Sequence, residues 1–188
     1  MCYTCGNFSH DALVADNIIT DHAKNLTSDG DLSIWIHPEL QDMFGKVKDL
    51  FIDDLSDSLE DIDITVTELK RRRRADIVIK RVDLSWKEDD NIQATVVRGK
   101  RGQARVLFNE DRSFFQTRDL GRYLLPHEVG HALGLKHPWQ YTPGETFYDV
   151  NLTPDDTIME YPDLDYITGE RYHPFRPMDV TTIHEIHS

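Results

Sequence analysis

An eleven-residue segment that begins at His127, HEVGHALGLKH, constrains the fold more than any other part of the chain. His127 and His131 are four positions apart, so on a helix their imidazoles project from one face. Glu128 lies one position further on, turned by about 100° around the helix axis. Gly134 suits the left-handed end of a helix, after which the chain can reverse and bring His137 back towards the other two histidines. The segment therefore predicts a helix, a tight reversal and three clustered histidines.

Three neutral imidazoles leave the fourth position of a zinc ion open, which is typical of catalytic rather than structural zinc sites. We therefore predict that His127, His131 and His137 bind one zinc ion and that Glu128 is the catalytic base. A bare His-Glu-x-x-His pattern occurs by chance in unrelated helices, but the added glycine and third histidine at fixed offsets argue against coincidence. The alternative is a helix with surface histidines and a capping glycine.

The segment resembles the extended zinc motif of the metzincin metallopeptidases and, with Pro138 after it, is most similar to the serralysin and matrixin branches. That resemblance implies a methionine turn at residues 157–161, in which Met159 forms the hydrophobic floor of the site and Gly134 supports it. Tyr161 matches the serralysin and astacin tyrosine that moves between the zinc and the substrate oxyanion. Matrixins lack this tyrosine, so the serralysin branch is favoured. Taken alone, Met159 would be core filling and Tyr161 a loop aromatic.

The apolar pattern of the first part of the chain predicts strands and one long helix. Residues 32–36 (LSIWI) form the first expected strand, and apolar residues at three- and four-residue steps predict a single amphipathic helix over 39–59. Period-two alternation and β-branched residues predict further strands at 62–66, 75–79, 92–97 and 104–108. A helix at about 123–133 follows, with Pro126 either in its first turn or at a kink.

The last part of the chain is less regular. Residues 139–172 are rich in Pro, Gly, Asp, Thr and Tyr and predict long ordered loops, and Pro177 opens a final helix.

The resemblance implies an α+β, metzincin-like catalytic domain: a twisted mixed β-sheet with a long helix and an active-site helix, and an irregular C-terminal lobe that ends in a helix. We expect an extended arm over 1–30 and the domain over 31–188, with an upper lobe of about 31–134 and a lower lobe of about 135–188.

The resemblance also implies how a substrate binds. The partner is a protein or peptide in extended conformation, which adds a strand to the edge of the sheet. The residues that correspond to this edge strand are Ala104, Arg105, Val106, Leu107 and Phe108.

The charge of the chain excludes some classes of partner. A formal net charge of −13 argues against nucleic acid and against an anionic membrane surface. The run Arg71–Arg74 is most simply a solvated loop between two strands, with a processing site or an anionic-ligand patch as alternatives. No apolar stretch approaches the roughly 20 residues that span a bilayer, and no secretory signal is visible. Either the protein acts where it is made, or it leaves by a signal-independent route or in association with a particle.

Other candidate ligands carry weaker predictions. The N-terminal cysteines, Cys2 and Cys5, most simply lie in a flexible arm, although Cys5 could block the open zinc position as an inhibitory ligand, and a half zinc site or redox pair is a third interpretation. Calcium is a second candidate cofactor, but no calcium-loop spacing is recognisable among the acidic residues Asp155, Asp156, Asp163 and Asp165. We assign no metal to His173, His184 or His187.

The resulting hypothesis is a zinc-dependent endopeptidase that hydrolyses internal peptide bonds. The competing hypothesis is a structural or binding component of a larger assembly, such as a particle or secretion apparatus, in which zinc mainly stabilises the domain. Glu128 and Tyr161 favour catalysis, because a purely structural zinc ion does not need a general base.

Overall fold

The computed structural model describes residues 22–84, 94–99, 102–110, 118–141, 143–146, 150–153, 156–160 and 175–187. These residues form an α+β fold with a mixed five-stranded sheet, which confirms the predicted fold class at that level. Within these ranges, no helix combines the length and apolar character needed to cross a membrane.

The sheet has the strand order β2-β1-β3-β5-β4, in which β1, β2, β3 and β5 run parallel and β4 pairs antiparallel with β5. Alternate residues of the strands, such as Ile34, Ile77 and Val106, are fully buried in one core against the helices. The alternation that predicted the strands therefore also identifies the face that packs on the core. The strands are β1 (Asp31–Ile36), β2 (Thr65–Glu68), β3 (Ile77–Val82), β4 (Ala94–Arg98) and β5 (Ala104–Asn109).

The prediction that Ala104–Phe108 is the edge strand is wrong. These residues belong to β5, whose neighbours are β3 on one side and β4 on the other. Hydrogen bonds to both neighbours occupy the backbone of β5, so it cannot accept a further strand. Among the described strands, β4 lies at this end of the sheet.

The single helix expected over 39–59 is two helices, α2 (Pro38–Phe44) and α3 (Lys46–Glu60). They are separated by Gly45, whose φ of 51° and ψ of −126° a residue with a side chain rarely adopts. The apolar spacing continues across the break. Of its described members, Leu40, Phe51, Leu55 and Leu59 are fully buried in the core, whereas Leu50 is 49% exposed.

The N-terminal segment also differs from the expected extended arm. Residues 22–26, the first that the structure describes, are helical (α1), and Ala23 and Leu26 among them are buried. Thr27, just after it, is also buried, and its hydroxyl lies 2.7 Å from Nδ1 of His187. Burial of these three residues ties this end of the arm to the domain. Residues 1–21, including Cys2 and Cys5, lie outside the described residues.

The two remaining helices are α4 (Arg118–Ala132) and α5 (Pro177–His187). Pro126 lies inside α4 and not in its first turn, so one backbone hydrogen bond of the helix is missing there. Between α4 and α5, the described residues contain one regular element, the 3₁₀ helix Pro138–Gln140. Arg72–Arg74 form an exposed 3₁₀ helix between β2 and β3, in agreement with a solvated connection.

Candidate metal centre

Helix α4 carries the first half of the site. His127 and Glu128 are completely buried, and His131 is nearly so, because this turn of α4 enters the core between Leu124 and Leu133. The ring centroids of His127 and His131 are 5.0 Å apart, with the rings edge to face. The four-residue spacing therefore brings both imidazoles together, as the sequence predicts.

The chain reverses at Gly134, which has a φ of 95°. The amide of Gly134 donates to the carbonyl of His131 (3.1 Å), and the amide of Leu135 donates to the carbonyl of Gly130 (2.9 Å). These two bonds form a Schellman motif, the common glycine-dependent end of a helix. The reversal brings His137 back, so that its ring centroid lies 4.7 Å from that of His131.

Each histidine of the cluster donates a hydrogen bond from Nδ1 to a backbone carbonyl. His127 donates to Ile158 (2.8 Å), His131 to Leu135 (3.0 Å) and His137 to Met159 (2.8 Å). A carbonyl can only accept, so the proton of each neutral ring is on Nδ1 and the lone pair is on Nε2. One ligand nitrogen from each ring lies within 4.8 Å of the others. Three neutral imidazoles with converging lone pairs are a donor set that fits zinc.

Burial keeps the three rings neutral. Desolvation, with the neighbouring His137 as a second cause, lowers the pKa of His127 to about 3 and that of His131 well below its usual value. Desolvation also lowers the pKa of His137 to about 4. A metal ion at this site does not have to displace protons from the histidines at neutral pH.

The turn at residues 157–160 packs against the histidine cluster. Its carbonyls at Ile158 and Met159 hold His127 and His137, and the Met159 side chain is buried. A Cβ on Gly130 would lie 3.0 Å from the Met159 sulfur, so the turn packs directly on α4. Met159 is therefore buried against the helix that carries His127 and His131.

Asp179 on α5 anchors this turn, and sequence reasoning missed it. Its buried carboxylate accepts hydrogen bonds from the Thr157 hydroxyl (2.5 Å), the Ile158 amide (2.8 Å) and the Arg176 amide (2.8 Å). Desolvation raises the pKa of Asp179 to about 6 despite these three donors. The sequence indicates only that Asp179 is an acidic residue in the first turn of a helix. Nothing in the sequence connects it to residue 157.

Two aromatic residues border the cluster, and sequence reasoning did not assign them either. The Tyr123 ring lies 5.1 Å from the His127 ring, and its hydroxyl donates to the Glu160 carbonyl (2.6 Å). Trp139 stacks on His137. The signal for Tyr123 is its position four residues before His127 on the same helix face.

Most of the other residues weighed as ligands or site residues are not described by the structure, and the described ones have hydrogen-bond partners of their own. Tyr161 and Cys5 lie outside the described residues, as do His173 and three of the four acids weighed for calcium. The fourth, Asp156, accepts hydrogen bonds from the Thr153 amide and hydroxyl, and these bonds lower its pKa. His184 and His187 bond to the carbonyls of Ser58 and Leu133 at 2.8 and 2.9 Å.

Comparison with known proteins gives partial similarity to serralysins. No protein-family profile matches the chain. Serralysin C of Dickeya chrysanthemi is 45% identical over 51 residues, which cover 24% of this chain and 11% of the relative. Serralysin G is 34% identical over 93 residues (43% and 19%), and serralysin B is 32% identical over 89 residues (44% and 18%), both from the same organism. The matched part of the chain spans less than a fifth of these relatives.

Proposed function

We propose that this chain is a zinc-dependent endopeptidase. The observation that carries the proposal is the fully buried Glu128 on the helix that carries His127 and His131, with His137 as the third neutral, carbonyl-held histidine of the cluster. A structural zinc site commonly fills all four positions with protein ligands, whereas three histidines leave a position for water. Similarity to serralysins, partial as it is, supports the same conclusion.

Each residue of the site would have a separate role in the reaction. When bound, zinc polarises the scissile carbonyl and lowers the pKa of a water molecule towards about 7. The carboxylate of Glu128 accepts the proton of the attacking water and passes it to the leaving amine. By resemblance to serralysins, Tyr161 donates a hydrogen bond to the oxyanion, a contribution of about 3 kcal/mol for a donor of this kind.

We assign substrate binding to β4 rather than to β5. The outer side of an edge strand carries backbone groups that can pair with an extended peptide. β4 precedes β5 in the chain and is packed on α4, the helix that carries His127 and His131. A peptide that extends the sheet along β4 would therefore run beside the helix of the metal site.

The test combines metal analysis with peptide cleavage. Purified wild type should contain about one zinc ion per chain and cleave a quenched-fluorescent peptide library, and a chelator should abolish the cleavage. Glu128→Gln should retain zinc and lose turnover by roughly a thousandfold or more. Glu39→Gln, at an exposed position of α2, is the matched control and should cleave like wild type.

Two outcomes would contradict the proposal. Full activity of Glu128→Gln would remove Glu128 as the base. Stoichiometric zinc in wild type without cleavage of any peptide in the library would instead favour the structural role, with zinc stabilising a component of a larger assembly.

A further inference from the structure

Trp139 lies two residues after the third histidine, in the 3₁₀ helix Pro138–Gln140. Its ring is stacked on the His137 ring, with centroids 4.4 Å apart and planes 7° from parallel. The turn is closed from both ends, because the His137 amide donates to the Gln140 side chain (2.9 Å) and the Gln140 amide donates to the His137 carbonyl (2.8 Å). The indole is therefore held in a fixed place beside the histidine.

Core packing does not explain this indole. Trp139 is 57% exposed, whereas the histidine that it covers is almost completely buried. Its inner face contacts an imidazole whose Nδ1 is already engaged with the Met159 carbonyl. Among the described residues, one cluster could hold a metal ion, and the stacked pair of Trp139 and His137 lies at that cluster.

The third histidine needs this contact more than the other two. His127 and His131 extend from a regular helix, so helical hydrogen bonds fix their Cα positions. The backbone at His137 is extended (φ −64°, ψ 149°) and lies beyond the Gly134 reversal. The covalent link at Cγ and the hydrogen bond at Nδ1 restrain one edge of the ring, so a tilt of the ring plane is the motion that they restrain least. A flat ring stacked on the imidazole fixes its plane.

We propose that Trp139 is a positioning residue, whose indole holds the His137 imidazole in the plane in which Nε2 faces the other two ligands. The inference rests on the proposed function in that it takes zinc as the ligand. It deepens that function by assigning a role in zinc retention to Trp139, a residue that does not itself bind zinc. Residues that orient a metal ligand commonly change metal affinity by about 10- to 100-fold when they are replaced.

The experiment measures release of zinc from the loaded protein to a chromophoric chelator. Trp139→Leu keeps apolar bulk but has no ring and should release zinc about tenfold faster than wild type. Trp139→Phe keeps a stacking ring and should stay within about threefold of wild type. Trp35→Leu is the matched control, because Trp35 lies on β1 against His37 and should leave the release rate unchanged.

Spectroscopy and kinetics separate positioning from other roles. In the cobalt-substituted protein, Trp139→Leu should alter the ligand-field absorption bands and Trp139→Phe should largely preserve them. In peptide cleavage at saturating zinc, Trp139→Leu should lower kcat and leave KM unchanged, since the indole is assigned to the ligand and not to the substrate. Circular dichroism of each variant verifies that the fold is retained.

Four results would overturn the role of Trp139, the proposed function or both. Equal zinc release from Trp139→Leu and wild type would overturn the inference. A raised KM with unchanged release would also overturn it and would assign the exposed indole face to substrate binding. A wild type that holds zinc but cleaves no peptide would refute the proposed function, and the release rates would still decide the role of Trp139. A wild type that binds no zinc would overturn both.

Discussion

Replacement of Asp179 by alanine should destabilise the protein, and the loss should depend on pH. The carboxylate accepts hydrogen bonds from three donors, of which the Thr157 hydroxyl and the Ile158 amide are buried. An unsatisfied buried donor costs about 1–3 kcal/mol, so two of them cost about 4 kcal/mol when Asp179 is protonated in wild type.

The charge of Asp179 reduces this loss as pH rises. Burial raises its pKa from 3.8 to about 6, so between these values the folded state holds a proton that the unfolded state has released. Wild-type stability from this group is fully present below about pH 4 and is lost as pH rises through about 6. Alanine has no such proton, so the difference between Asp179→Ala and wild type should shrink from about 3 kcal/mol at pH 4.5 to about 1 kcal/mol at pH 7.

Urea unfolding of the metal-free protein at both pH values measures these differences. With a slope of about 2 kcal/mol per molar urea, the midpoint should fall by about 1.5 M at pH 4.5 and by about 0.5 M at pH 7. Asp179→Asn keeps one acceptor oxygen without the charge and should match or exceed wild type at pH 7. A penalty for Asp179→Ala that is equal at both pH values, or that grows with pH, would refute the reasoning.

Three further replacements test the supports of the site. Gly134→Ala should cost about 2 kcal/mol or more and weaken zinc binding, because the residue has a φ of 95° and its new methyl group would lie 3.2 Å from Ala23 and 3.1 Å from Ile186. Gly45→Ala, at a φ of 51° with no atom within 4 Å of the new methyl group, should cost about 1–2 kcal/mol in urea unfolding and leave zinc affinity unchanged. Thr157→Val should cost about 1–3 kcal/mol in the same assay, because the Met159 amide loses its acceptor hydroxyl. A Gly45→Ala variant that lost zinc as readily as Gly134→Ala would contradict the separation of the two effects.

Local patterns predicted the histidine cluster and the five strands, the strands with bounds that differ by up to three residues, because both depend on spacing along the chain. Alternation identifies a strand but not its neighbours, and the assignment of β5 to the edge of the sheet came from the family resemblance alone. A signal for its interior position was present in the sequence. Val106, Leu107 and Phe108 are consecutive and all buried, as expected for a strand covered on both faces, whereas β4 ends in partly or fully exposed residues.

The helix break and the helical N-terminal segment could not be predicted for a different reason. A lone glycine is tolerated within a helical pattern, so Gly45 gives no sign of its φ unless the tertiary structure requires it. Residues 22–26 are mostly polar, and the burial of Ala23 arises from contact with Gly134, more than a hundred positions away in the chain. Neither feature depends on a local period.

The dependence of the site on distant contacts follows from how the histidines are held. Two of the three imidazoles donate hydrogen bonds to carbonyls of the 157–160 turn. Asp179 on α5 accepts hydrogen bonds from the same turn and fixes it in place. The reversal after α4, which brings His137 back, is held from the other side. There Gly134 packs on Ala23 and on Ile186, and Ile186 lies on α5. Helix α5 therefore supports the histidine cluster at two points although it contributes no predicted ligand. A motif of eleven residues can specify which atoms could bind a metal ion, but the orientation of those atoms depends on contacts with α5, about 50 residues further along the chain.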